Sequence, residues 1–316
     1  MTEEELIIAN MLIHGHNPDV ELLDLDEKLV DLAVMLATNE DYEKNEFEPT
    51  FIRPKLVLKE SKVFLREKFI LHRIPYADEK IIKMKLHGRI IRSEHELLKL
   101  YNGVGTLIDP LELPVKFIDE PYFYGNVSLM SNLSDDPEFL KNMKIFFKSI
   151  ELSNRTSEVS GVCYVHEVVH TQLESLKGIV RDYYNSEVLS IFMELLYAYE
   201  QGPKLFKESL KIRINLFLTE FHSLYNYLCN GESVAEEGLW HNVVACKYIV
   251  STVKAFHMIN NYYLGDEIER NNMLWMIQKV FSGASSLEQM LKELGITYEN
   301  SLDKSHVLSL IGVNKK

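Results

Sequence analysis

The sequence contains few cysteines and no long hydrophobic runs. Its three cysteines, Cys163, Cys229 and Cys246, are widely spaced and form no CxxC pair. An odd, scattered set argues against a disulfide framework and is typical of a reducing compartment. No window of 18 residues is both apolar and uncharged, so we expect no membrane-spanning helix and no membrane partner. The first residues, Met1 to Glu5, are acidic where a secretory signal is basic, so we expect a cytoplasmic protein.

Positive charge is also scarce. The chain has 34 Lys and Arg against 47 Asp and Glu, a formal net charge of −13, which argues against a nucleic-acid partner. The charge is uneven, because residues 1–50 carry a net charge of −12 and residues 51–100 carry +7. We interpret these segments as two solvated surfaces, with a docking surface for a charged partner as the alternative. The 46% of hydrophobic residues suffices for one large core or two smaller ones.

The hydrophobic pattern predicts a small α+β region over residues 1–125. Two amphipathic helices come first, marked by Leu6 to Leu12 and by Leu29 to Leu36. Runs rich in β-branched residues, at Val63 to Leu65 and at Ile81 to Leu86, predict strands. A capping box at Ser93 predicts a short helix over residues 93–101, and the Gly- and Pro-rich residues 102–125 predict a loop and a domain boundary.

Residues 126–316 are predicted to form a second domain that is almost entirely helical after a short strand at residues 126–132. Gly and Pro residues predict the breaks between its helices. These breaks lie at Gly202-Pro203, Asn230-Gly231, Gly265-Asp266 and Ser282-Gly283.

The segment from His166 to His170, HEVVH, matches the HExxH pattern. Hydrophobic residues recur around it at helical spacing, which places the two histidines one turn apart on the same helix face. Two imidazoles in that position can share a metal ion, and Glu167 can reach a metal-bound water without being a ligand. A catalytic zinc ion takes three protein ligands and leaves a position for water. The alternative is two histidines in polar niches of an ordinary core helix.

The third ligand determines the class of the site. A third histidine six residues after His170 is typical of metzincins, but that position is Leu176, so this class is excluded. A glutamate on the following helix remains. Glu187 and Glu194 lie two turns apart on one predicted helix face, so that one can bind zinc while the other orients a histidine.

At this point the sequence resembles a known family. HEVVH followed by EVLSIFMELL, from Glu187 to Leu196, is similar to the zinc site of oligoendopeptidase F and, more distantly, of thimet oligopeptidase. That family has HExGH followed by EVxSxxxE, and the first glutamate of that helix is the third zinc ligand. The resemblance therefore implies that Glu187 is the ligand, with Glu194 in the second position. Val169 replaces the glycine of the family motif.

The family also uses a histidine and tyrosines to bind the substrate and the developing oxyanion. The nearest matches here are His241 and Tyr248, which the resemblance implies as catalytic residues. Other tyrosines can take this role instead, and core packing is the alternative for each of them. These are Tyr225, Tyr227, Tyr262 and Tyr263.

Together these observations predict a mainly helical, zincin-like (gluzincin) catalytic domain behind a smaller α+β region. We expect one Zn²⁺ per chain, bound by His166, His170 and Glu187, with Glu167 as the general base. The expected activity is hydrolysis of peptide bonds in short peptides or in flexible segments of small proteins. One alternative is a peptide-binding relative with weak or no catalysis. Another is a regulatory protein in which HExxH occurs by chance. The sequence does not indicate the oligomeric state.

Overall fold

The computed structural model describes most of the second half of the chain and separate segments of the first half. The described residues are 26–38, 54–68, 84–86, 89–91, 111, 113–118, 125–129, 147–153, 159–177, 183–230, 238–281 and 284–312. The predicted helices around Leu6 and over residues 93–101 lie outside these residues, as does most of the predicted loop 102–125.

The chain divides into two compact units. The first comprises residues 1–18 and 50–186, and the second comprises residues 19–49 and 187–316. The border between residues 186 and 187 falls inside a helix. The predicted domains, 1–125 and 126–316, do not coincide with these units.

The first unit combines strands with two long helices. Its described elements are α2 (Pro54–Lys68), β1 (Met84–Leu86), β2 (Arg89–Ile91), β3 (Val115–Ile118), β4 (Gly125–Leu129), β5 (Phe147–Ser153) and α3 (Val159–Lys177). β1 and β2 form an antiparallel hairpin. β5 is the central strand of a second sheet, parallel to β3 and antiparallel to β4. β4 therefore lies at an edge of this sheet.

Helix α3 is the core of the first unit. It packs against β4, β5 and α2, and its residues 159–172 are all buried. Its N-terminal end is tied to its neighbours by two side chains. The Ser160 hydroxyl donates to the Ser153 carbonyl at 3.1 Å, and the Ser61 hydroxyl of α2 donates to the Gly161 carbonyl at 3.3 Å. A helix that is buried on all sides needs few charged residues, which explains its apolar sequence.

Two sequence predictions in this unit are wrong. Val63 and Leu65 were expected in a strand but lie in α2, whose buried residues Ser61, Phe64 and Leu65 follow helical spacing, while Val63 is 44% exposed. A run of three apolar residues is too short to distinguish a strand from a helix. Conversely, β5 lies in the part of the chain that was expected to be helical. The strand predicted at residues 126–132 corresponds to β4.

The second unit is helical throughout its described residues. Its elements are α1 (Glu27–Ala37), α4 (Tyr183–Gln201, which begins in the first unit), α5 (Pro203–Asn230), α6 (Gly238–Leu264), α7 (Glu267–Phe281), α8 (Leu287–Glu293), α9 (Tyr298–Ser301) and α10 (Lys304–Leu310). α6 contacts α5, α7, α9 and α10, and α1 contacts α5. The long α6 is therefore the central helix of this unit.

The helix breaks in the second unit agree with the sequence predictions. α4 ends at Gln201 before Gly202-Pro203, α5 ends at Asn230, and α6 ends at Leu264 before Gly265-Asp266. Gly202 has φ +130°, a conformation that other residues rarely adopt.

The predicted helix at Leu29 to Leu36 is α1. It buries Leu29, Leu32, Ala33 and Leu36, and the Asp26 carboxylate caps it by accepting from the Leu29 amide at 2.7 Å. The prediction of a mainly helical protein is confirmed for the described residues. Among the described helices, none has the length and apolar character that crossing a membrane requires.

Candidate metal centre

The HExxH segment lies in the middle of the buried helix α3. His166, Glu167 and His170 are only 6%, 7% and 5% exposed. Burial of polar side chains is costly unless they have partners, so these three residues depend on the groups around them.

The two histidines direct the same ring nitrogen at one point. Their Nε2 atoms lie 3.0 Å apart, and their rings meet edge to face at 74°. Two nitrogens that bind one tetrahedral zinc ion at about 2.0–2.1 Å lie roughly 3.3 Å from each other. The imidazole pair is therefore close to the geometry that a shared metal ion requires.

Glu187 of α4 completes a group of three. One ligand atom from each of His166, His170 and Glu187 lies within 4.8 Å of the other two, and all three residues are buried. Within the described part of the chain, this is the one group of three or more His, Cys, Asp or Glu residues with such geometry. Two imidazoles and one carboxylate are a donor set that suits zinc. These residues fit, and can hold, one metal ion.

Glu187 also forms an ion pair. Its Oε1 atom lies 3.2 Å from Nζ of Lys247 in α6, and both side chains are only 1% exposed. Taking an ammonium and a carboxylate out of water is costly, and their mutual attraction offsets this cost only at close range. The pair therefore fixes the Glu187 carboxylate inside the protein.

Glu194, the other glutamate considered as a ligand, has a different partner. Both its oxygens accept from Arg213 of α5, one from Nε and one from Nη2. Glu194 is 2% exposed, so this is a buried fork-to-fork pair. It does not belong to the group of metal-binding geometry. Of the two glutamates that the sequence left open, Glu187 is therefore the one that lies with the two histidines.

Glu167 lies against the edge strand β4. A Cβ atom added at Gly125 would lie 3.1 Å from Oε1 of Glu167 and 3.4 Å from Cβ of Cys163. Glycine at this position lets the strand approach the carboxylate closely. The sheet thus places an edge strand beside the residue expected to be the general base.

The residues expected to bind the oxyanion are only partly described. His241 lies in the N-terminal part of α6 by its backbone. Its side chain is outside the described part of the structure. Tyr248 is half-buried on the same helix, and Nζ of Lys247 lies 4.8 Å from the centre of its ring. Their roles stay predictions.

The alternative tyrosines differ in exposure. Tyr262 is buried and packs edge to face on Phe192 at 6.2 Å, as expected for core packing. Tyr225 and Tyr263 are each 42% exposed. The Tyr227 side chain is outside the described residues.

Sequence reasoning missed Lys247 and Arg213, the cations that hold the two buried glutamates. Each partner lies on a different helix from its glutamate, so local spacing carries no information about the pairing. One signal was present: Lys247 interrupts an apolar run, between Ala245-Cys246 and Tyr248-Ile249-Val250. A charge in such a run is typical of a buried pair.

A second pair of histidines lies elsewhere in the second unit. His257 of α6 and His306 of α10 stack face to face, with ring centres 3.8 Å apart and planes 22° apart. Nδ1 of His257 lies 3.3 Å from the Ser301 hydroxyl, and Nδ1 of His306 lies 3.2 Å from the Asn260 amide nitrogen. Both histidines line a cavity of about 900 Å³.

Burial and the neighbouring His306 lower the pKa of His257 from 6.5 to about 4, while a hydrogen bond with Asn300 and the charge of Asp303 act in the opposite direction. Burial, reinforced by Asp26, raises the pKa of the Tyr298 phenol. Hydrogen bonds from its own backbone amide and from Thr297 lower the pKa of Glu299.

No family model, curated protein or solved structure matches the chain. The arguments for function therefore come from the residues and their geometry.

Proposed function

We propose that this protein is a zinc-dependent metallopeptidase of the gluzincin type, related to oligoendopeptidase F. The observation that supports this most directly is the approach of His166, His170 and Glu187 ligand atoms to within 4.8 Å of one another. Glu167 follows the first of these histidines directly, as the HExxH arrangement requires.

The proposed division of roles follows from the side chains. His166 and His170 hold the metal through Nε2, and Glu187 holds it through a carboxylate oxygen. Zinc, when bound, supplies the Lewis acidity that makes water a nucleophile at neutral pH and polarises a peptide carbonyl. The Glu167 carboxylate takes a proton from the attacking water and then passes it to the leaving amine.

The surroundings of Glu167 support this role. Glu167 is 7% exposed, and its carboxylate lies beside the backbone of Gly125. The side chain is therefore largely shielded from bulk water and held beside the proposed metal ligands. We propose His241 or Tyr248 as the group that stabilises the developing oxyanion, and short peptides or flexible protein ends as substrates in the cytoplasm.

A set of fluorogenic peptides tests this proposal. We expect the zinc-loaded protein to cleave at least one of them, and the Glu167→Gln variant to lose activity by a factor of at least about 10²–10⁴. The variant keeps all three proposed ligands, so its metal content should equal that of the wild type. Peptide binding by the zinc-loaded wild type without any cleavage would instead favour the non-catalytic relative.

A further inference from the structure

Lys247 is the charged group in contact with the proposed third metal ligand. We infer that Lys247 is a positioning residue of the metal centre, which holds the Glu187 carboxylate in the orientation that a metal ion needs. The inference rests on the proposed metal site but does not require peptidase activity. Its basis is the 3.2 Å contact between Nζ of Lys247 and Oε1 of Glu187, with both side chains 1% exposed.

Helix α4 carries a second buried glutamate, Glu194, whose cation partner binds it in a different geometry. Arg213 grips both oxygens of Glu194 with its planar guanidinium, the geometry that suits a purely structural pair. Lys247 places a single ammonium nitrogen on Oε1 of Glu187. The lysine ammonium can therefore orient the carboxylate without binding both of its oxygens, as the arginine guanidinium does.

An ammonium on Oε1 also constrains how a metal ion binds. The ammonium and a divalent cation repel each other, so they favour different oxygens of the same carboxylate. Glu187 would then offer one oxygen rather than two to a metal ion, as suits a site that needs room for water.

A competing account makes the opposite prediction. If the lysine only fills the place of the metal when none is bound, its charge opposes metal binding, and its removal strengthens binding. If the lysine positions the carboxylate, its removal weakens binding. The sign of the change in metal affinity therefore separates the two accounts.

The experiment measures zinc affinity of the full-length apoprotein by competition with a chromophoric chelator. We expect Lys247→Met to weaken zinc binding by about 10–100-fold, the usual effect of losing a partner of a metal ligand, and Lys247→Arg to restore most of it. Arg213→Met is the matched control, since it removes the other buried cation facing α4, and should leave zinc affinity within about twofold of the wild type. Equal or tighter zinc binding by Lys247→Met overturns the inference.

A second comparison keeps the test decisive if the single variant folds poorly. Removal of both charges of a buried pair is often tolerated, so Glu187→Gln with Lys247→Met should fold. If the lysine acts through Glu187, this double variant binds zinc within about twofold of Glu187→Gln alone. A further loss on top of Glu187→Gln would overturn the inference. Cobalt substitution adds a readout independent of turnover: the visible spectrum should change in Lys247→Met and recover in Lys247→Arg.

Failure of the proposed function looks different from failure of this inference. A protein that binds zinc in a lysine-dependent manner but cleaves no peptide refutes the peptidase and leaves the role of Lys247 intact. If the protein cleaves peptides and Lys247→Met leaves the zinc affinity unchanged, the proposed peptidase stands and the role of Lys247 is refuted.

Discussion

Two histidine pairs in the described part of the chain contain the same side chains in opposite arrangements. In His166 and His170 the rings meet edge to face, with Nε2 atoms 3.0 Å apart. In His257 and His306 the rings stack at 3.8 Å, and each Nδ1 faces a polar side chain, Ser301 or Asn260. The first pair directs nitrogens at one point, whereas the second packs ring faces together.

This difference teaches that the proximity of two imidazole rings does not by itself make a candidate ligand pair, because the ring nitrogens must also point at a common position. Only the first pair is joined by a carboxylate in metal-binding geometry among the described residues. The second pair instead hydrogen-bonds with the Ser301 and Asn260 side chains. Experiments on both pairs can break or sharpen this distinction.

The largest expected effect is that a substitution in the first pair abolishes metal binding, whereas the same substitution in the second pair does not. His170→Asn should abolish stoichiometric zinc binding, lowering affinity by more than about 100-fold, because an amide is a poor zinc ligand. His306→Asn is the matched control in the stacked pair and should retain one zinc per chain. Elemental analysis of dialysed protein measures both. Equal zinc content in the two variants would remove the distinction between the pairs.

A second prediction separates structural stability from metal binding at the carboxylates of α4. Arg213→Met should lower the free energy of unfolding by about 3–5 kcal/mol, because it removes the guanidinium that pairs with the buried Glu194 carboxylate. Urea denaturation followed by circular dichroism measures this. The prediction fails if the variant is as stable as the wild type. Added zinc should still stabilise the variant, since the ligands are unchanged.

The stacked pair should make stability depend on pH. His257 has a folded pKa of about 4 against an ordinary 6.5, so between these values the unfolded chain binds more protons than the folded one. The contribution is fully present above pH 6.5 and is lost as the pH falls towards about 4, roughly 3 kcal/mol in all. Besides His306, the charged group that acts on it is Asp303.

Melting temperatures across this pH range measure the effect. Apoprotein should be used, so that metal release does not contribute. His257→Asn should flatten the profile, and an unchanged slope in this variant would contradict the assignment to His257.

The smallest expected effect concerns the strand beside Glu167. A methyl group at Gly125 would lie 3.1 Å from the Glu167 carboxylate, so Gly125→Ala should displace it by a few tenths of an ångström. We expect kcat/KM to fall about tenfold, because proton transfer depends on position, with zinc affinity unchanged. Val127→Ala in the same strand is the control. Full activity in Gly125→Ala would show that the carboxylate tolerates the shift.

Much of the helical part of the fold was predictable from the sequence. The apolar spacing of α1 and the Gly-Pro and Gly-Asp breaks are local signals, and each fixed an element or its end. The HExxH spacing likewise predicted one helix face. The strands were harder: β5 carries Ser149 and Ile150 side by side in buried positions, so it shows no clean alternation.

The site was predictable only as far as local spacing reaches. Sequence motifs predicted His166, His170 and two candidate glutamates. The difference between Glu187 and Glu194 depends on tertiary packing, which pairs the first with Lys247 and the second with Arg213. These pairings form only in the tertiary structure, and no residue near either glutamate in the sequence predicts them. The close approach of Gly125 to Glu167 was not predictable either, because it depends on the position of β4 in the sheet.

The ion pair between Glu187 and Lys247 has a consequence for how the centre assembles. The three ligands occupy 22 consecutive residues, whereas the lysine comes 60 residues after the glutamate it contacts. Closing the longer stretch of chain costs about 1 kcal/mol more in entropy than bringing His170 and Glu187 together. The three candidate ligands are therefore all present once α4 has been synthesised, whereas the cation that contacts Glu187 is added only with α6.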